Sequence, residues 1–158
     1  MPFTHRSSHF LSRACIAAAL LCAALMVIAG SYHETDGVAI EGYDPVAYMT
    51  EHKAAKGHAE FSNVHKGSVF HFKDAANRDA FIANPDKFAP QYGGYCAFGV
   101  SRGYKAATSP EAFTVVDGKL YLNYNAEVKT MWSRDIPAYV RKADRNWIAV
   151  EKTTKVSR

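Results

Sequence analysis

Apolar and polar positions divide the chain into an N-terminal segment and a mixed remainder. Residues 1–13 carry Arg6 and Arg13 and no acid, Ala14 to Ile28 is an unbroken run of apolar residues and cysteine, and Ala29, Gly30 and Ser31 follow. A basic start, an apolar centre and a small-residue exit make the layout of a secretory signal. No polar face interrupts the run, as one would in a half-buried core helix. The run is shorter than the roughly 20 residues that span a bilayer, which favours a cleaved signal over a retained anchor. Val27 and Ala29 suit the small-residue positions before a cut. Residues 1–31 are therefore expected to be a signal peptide or an N-terminal membrane anchor. The rest is expected to be periplasmic or secreted, or tethered to the membrane by an uncleaved segment.

The remainder alternates between strand and helix patterns. Gly37 to Ile40 reads as a short strand. Asp44 caps a short helix that has Pro45 at its first position. Residues 51–58 read as an exposed loop. Phe61 to Val64 and Ser68 to Lys73 form a hairpin, with Val69, His71 and Lys73 alternating with Phe70 and Phe72. Asp74 caps a helix from Ala75 to about Asn84, with Ala76, Ala80 and Phe81 as its apolar face. Pro85 opens a short turn. Gly93 and Gly94, set between tyrosines, suit close backbone approach or positive φ. Ser109-Pro110-Glu111 reads as one helical turn. Phe113 to Val116 and Leu120 to Tyr124 flank an Asp117-Gly118 turn, the strongest hairpin signal in the chain. Helices are expected over Asn125–Trp132 and Ile136–Trp147. Residues 151–158 read as a frayed polar tail. The expectation is a small single α+β domain over residues 32–150, with short antiparallel hairpins packed against several short helices.

Composition adjusts this picture at two points. The chain is 48% hydrophobic and 22% charged over 158 residues, enough for one folded domain without staples. Residues 1–31 hold two of the 19 Lys and Arg and none of the 15 Asp and Glu, so the remainder has a net charge of +2. That gives nucleic-acid binding no electrostatic basis. Cys15 and Cys22 belong to the N-terminal segment, which leaves Cys96 with no partner for an intrachain disulfide. Leu21 before Cys22 is wrong for lipidation, and no Arg pair marks a twin-arginine signal.

The order of pieces resembles the YHS domain family. It comprises Asp44-Pro45-Val46, a hairpin ending in Phe70-His71-Phe72, Arg78-Asp79-Ala80-Phe81 on the next helix, and Asn84-Pro85-Asp86-Lys87-Phe88. Residues 38–90 carry this match. The run Gly42-Tyr43-Asp44-Pro45-Val46-Ala47-Tyr48 resembles an exported bacterial subgroup of the family. So do the segments from Gln91 to Ala97 and from Val116 to Asn125. Metal-linked members of the family carry a cysteine after Asp-Pro-Val and two more after the hairpin. Those positions hold Ala47, Lys73 and Asn77 here. Alanine offers no ligand, protonated lysine repels a cation, and asparagine is a weak donor, so the familiar soft-metal site does not transfer.

Cys96 is the main candidate that remains. A thiolate with an imidazole can hold copper(I) or zinc, and His71 is the candidate partner because a strand fixes its direction. The competing reading makes Cys96 a small buried core residue. His33, His52, His58 and His65 are weaker ligand candidates, and a lone thiol without a resolving partner gives redox chemistry little support. Tyr43, Asp44 and Tyr95 are candidates to line a pocket around Cys96, with Asp44 as a plain helix cap in the alternative. No recognised catalytic motif is present, so a binding role is expected rather than an enzyme. The expected function is an exported YHS-like module that binds a transition metal such as copper through Cys96. The alternative is a non-metal small-ligand or protein-interaction module with Cys96 in the core.

Overall fold

The computed structural model describes residues 31–157, and the signal or anchor expected over residues 1–31 lies almost wholly outside them. An α+β domain forms. Two short strands, β1 (Glu34–Thr35) and β2 (Val38–Ala39), make a tight hairpin. Helix α1 (Pro45–Thr50) follows, then the hairpin β3 (His58–His65) and β4 (Ser68–Phe72). Helices α2 (Ala75–Ala83) and α3 (Pro85–Phe88) close the first half. The sheet order is β1-β2-β4-β3, with β2 parallel to β4 and the other pairs antiparallel.

The second half opens with the tight turn Gln91–Gly94 and helix α4 (Ala97–Ser101). Strand β5 (Lys105–Ala106), the hairpin β6 (Phe113–Val116) and β7 (Lys119–Leu122), and helices α5 (Ala126–Ser133) and α6 (Ile136–Val150) complete it. Strand β8 (Val156–Ser157) pairs in parallel with β5. Every helix from α1 to α3, and again α5 and α6, starts on an Asp or Asn whose side chain accepts a backbone N–H of the first turn.

Two aromatic cores result, and β7 joins them. Leu120 and Leu122 point into the first, built on Tyr48, Phe70, Phe72 and Phe81. Tyr121, between them, points into the second with Tyr92, Tyr95 and Trp132. This is the period-2 alternation of a strand buried on both faces. Edge-on and tilted ring contacts lock the first core, with Phe70 and Phe72 at 5.0 and 5.1 Å from Phe81.

Several expectations are corrected. The strand expected over Gly37–Ile40 is β2 and stops at Ala39, because Ile40 turns to φ 44° and starts a tight turn. Residue 58 already belongs to β3, so the loop before it is shorter. Ala76 is exposed, since α2 buries Phe81 fully and Ala80 only in part. Ser109 to Ala112 is a turn closed by the Ala112 N–H on the Ser109 carbonyl, not a helical turn. Helix α6 runs on to Val150 because Val150 is buried in the second core. The tail is docked rather than frayed. Beyond the β5–β8 pairing, the Lys105 ammonium donates to the carbonyls of Glu151 at 3.0 Å and Thr153 at 2.8 Å.

Candidate functional site

Asp44 is a structural hub. Its Oδ1 accepts the N–H groups of Val46 (2.8 Å) and Ala47 (3.1 Å), capping α1. Its Oδ2 accepts the Lys73 N–H (2.9 Å) and the Asn77 side-chain amide (2.7 Å). The carboxylate is wholly buried and spends both oxygens inside the protein. It cannot also serve a ligand pocket, which corrects the expectation for Asp44. The backbone N–H groups of Ala47 and Lys73 and the side-chain amide of Asn77 thus meet at this one carboxylate. Lys73 turns its ammonium away to Glu51 and Asp74.

The other expected pocket members are not brought together around Cys96. Tyr43 packs against the first core, with the Lys56 ammonium 4.8 Å from its ring centre. Tyr95 sits in the second core, between His33 (ring centres 5.3 Å apart) and the Lys105 ammonium (4.7 Å). His71 and Cys96 line different cavities. His71 faces a shallow groove of about 290 Å³ with Asp36, Glu41 and Lys56. Among the described residues no group of three or more His, Cys, Asp or Glu stands close enough to hold a metal ion. His52 and His58 are exposed, while His33 packs against Tyr95 and His65 against Phe81.

Burial lowers the pKa of His33, His65 and His71. For His65 the Lys66 charge adds to burial, and for His71 the Lys56 and His58 charges do. His33 Nδ1 and His65 Nε2 have no hydrogen-bond partner, so a proton added there is unpaired. The unfolded chain binds these protons more readily, and stability must fall as pH drops below the ordinary histidine value of 6.5. The urea midpoint is expected to decline steadily from pH 7 to about pH 5, before carboxylates titrate. A flat midpoint over that range would count against this burial.

Cys96 lines a cavity of about 300 Å³ between α4, β5, α5 and β8. Its walls are Phe98, Tyr104, Ala106, Tyr124, Val128, Met131 and Ser157. The thiol forms part of the floor, only 2% exposed. Its Sγ accepts the Gly99 N–H at 3.4 Å and donates to Asn123 Oδ1 at 3.8 Å. The same Oδ1 accepts the Phe98 N–H at 3.2 Å, while the buried Asn123 Nδ2 has no partner. Burial pushes the Cys96 thiol up, against the smaller opposing pull of the Gly99, Tyr124 and Phe98 backbone groups. A neutral thiol is a poor nucleophile, which sets this site apart from a redox cysteine.

Six large apolar side chains are exposed among the described residues, and three of them stand around this one cavity: Tyr104 (44%), Tyr124 (42%) and Met131 (38%). The sequence alone pointed to Cys96 but missed these three. Val128 and Met131, three apart on α5, are the one periodic signal that leads to them. No model of a known protein family, no curated protein and no solved structure matches the chain.

Proposed function

We propose that the chain is an exported YHS-like binding module that takes a small, mainly apolar ligand in the cavity over Cys96. The observation that carries this reading is the convergence of Tyr104, Tyr124 and Met131 on a cavity floored by a buried thiol. Water gains nothing on such a surface, whereas an apolar ring removes it from solvent at about 25 cal/mol per Å². An apolar cavity of about 150 Å³ already holds one aromatic ring, so about 300 Å³ admits a ligand of one or two rings. The two tyrosine hydroxyls and Ser157 supply polar handles at its walls. The YHS-like part of the reading rests on the order of Asp44-Pro45-Val46, Phe70-His71-Phe72, Arg78-Asp79-Ala80-Phe81 and Asn84-Pro85-Asp86-Lys87-Phe88 along the chain.

Mass spectrometry of small molecules released from protein purified from its own compartment tests the proposal. An apolar compound at near-stoichiometric yield is expected, and it is expected to vanish in Val128→Trp, which fills the cavity. Equal yield from Val128→Trp would remove the cavity as the site.

One observation favours copper(I) as a second reading. The Cys96 thiol and the Met131 thioether, both soft donors, line the same cavity. His71 is replaced by Met131 as the candidate partner. Titration with copper(I) decides it: Cys96→Ser and Met131→Leu should each weaken binding at least about tenfold. Unchanged binding in Cys96→Ser ends the metal reading.

A further inference from the structure

We infer that the outer face of helix α6 docks on an anionic lipid headgroup surface. Arg141, Arg145 and Ile148 follow one another at four and three residues, so they form one stripe along the helix. Lys152, just past its end, continues the row. The stripe lies opposite Ala143 and Val150, which are buried in the second core. Ile148 is 72% exposed, more than any other large apolar side chain among the described residues. Lys142 flanks the row, and among the described residues none of these four cations is in an ion pair. The nearby acids are Asp144, which accepts the Tyr92 hydroxyl at 2.8 Å, and Glu151 at the helix end. Four unpaired cations along the outer face of an amphipathic helix and just past its end are the charge pattern that binds an anionic headgroup surface, and Ile148 can sit among the headgroups.

The place where the domain begins gives the row its partner. Ser31 lines a cavity of about 320 Å³ together with Trp147 and Glu151, so the chain enters the domain beside the C-terminal half of α6. Ser31 follows the apolar run ending at Ile28 by three residues, which span at most about 10 Å. That is close to the distance over which charges act at physiological salt. A membrane holding the apolar run therefore lies close to the C-terminal end of α6. The placement rests on residues 14–28 being membrane-held, whereas the lipid chemistry of the stripe does not.

Amide hydrogen exchange of the full-length chain, mixed with vesicles of phosphatidylcholine alone or with about 30% phosphatidylglycerol, tests the docking. Exchange over residues 141–152 is expected to slow several-fold with the anionic vesicles only. The effect should be lost at about 0.5 M salt and in the double variant Arg141→Glu/Arg145→Glu, while exchange over β4 stays the same and reports an intact fold. Each cation near an anionic surface contributes about fivefold to affinity, so reversing two removes the docking. Equal exchange over residues 141–152 with both vesicle types overturns the proposal. Co-sedimentation with neutral vesicles reads the anchor separately. A chain that stays in the supernatant when the vesicles pellet sinks the membrane-held reading and leaves the exchange result to judge α6.

Discussion

Asp44→Ala is expected to lower unfolding free energy by about 4 kcal/mol, the largest effect of any single substitution considered. The carboxylate accepts three backbone N–H groups and one side-chain amide, and all four partners lose their acceptor together. A hydrogen bond to a charged group contributes about 1.5–3 kcal/mol, and a buried donor left unpaired costs about as much. The loss is not a simple sum, because water can enter the small space alanine leaves. Asp44→Asn separates the cap from the hub. Its remaining oxygen can still accept from Val46 and Ala47, but its amide then faces the Lys73 N–H and the Asn77 amide, donor against donor. About 2 kcal/mol of the loss should remain. Urea unfolding of both variants checks this order. An alanine variant within about 1 kcal/mol of the parent would mean the carboxylate does not tie α1 to β4 and α2.

Gly93→Ala should cost about 3 kcal/mol and act at a distance. Gly93 lies at φ 61°, where an L side chain is strained. Its Cβ would run into the Ser31 carbonyl oxygen. The strain alone is worth about 1–2 kcal/mol. Relief of the clash requires Ser31 and Tyr32 to move, which breaks the 2.7 Å bond from the His33 N–H to the Gly93 carbonyl. The substitution should therefore loosen the entry of the chain into the domain as well as lower stability. Faster amide exchange at His33 and Ile40 in a still-folded variant is the expected signature, since Ile40 N–H bonds to the His33 carbonyl. Normal exchange there with normal stability would contradict the close approach.

Much of the fold was legible because its signals are local. The Phe70/Phe72 alternation and the Asp117-Gly118 turn identify their hairpins without any partner, and Asp44 and Asp74 mark helix starts as caps. The parallel β2–β4 and β5–β8 pairings were not legible, because two-residue strands carry no period and their partners lie far along the chain. The same holds for the cavity. Cys96 was visible as the one cysteine outside the N-terminal segment, but nothing local says that Tyr104, Tyr124 and Met131 stay exposed or that Ser157 returns beside them. Exposure of a large apolar side chain is a property of the assembled surface. Asp44 shows the opposite case. Its cap role was read from its place before Pro45 and the short helix that follows, whereas its bonds to Lys73 and Asn77 needed the tertiary structure.

The cavity over Cys96 is the point on which the functional account turns. Methyl-detected NMR titration of the chain with a set of small one- and two-ring compounds tests it most directly. The account predicts that binders shift the methyl signals of Ala106, Val128 and Met131 together, and that Val128→Trp abolishes the shifts of Ala106 and Met131. Compounds that leave these three methyls unmoved, or that shift Ala106 and Met131 equally in Val128→Trp, would contradict it.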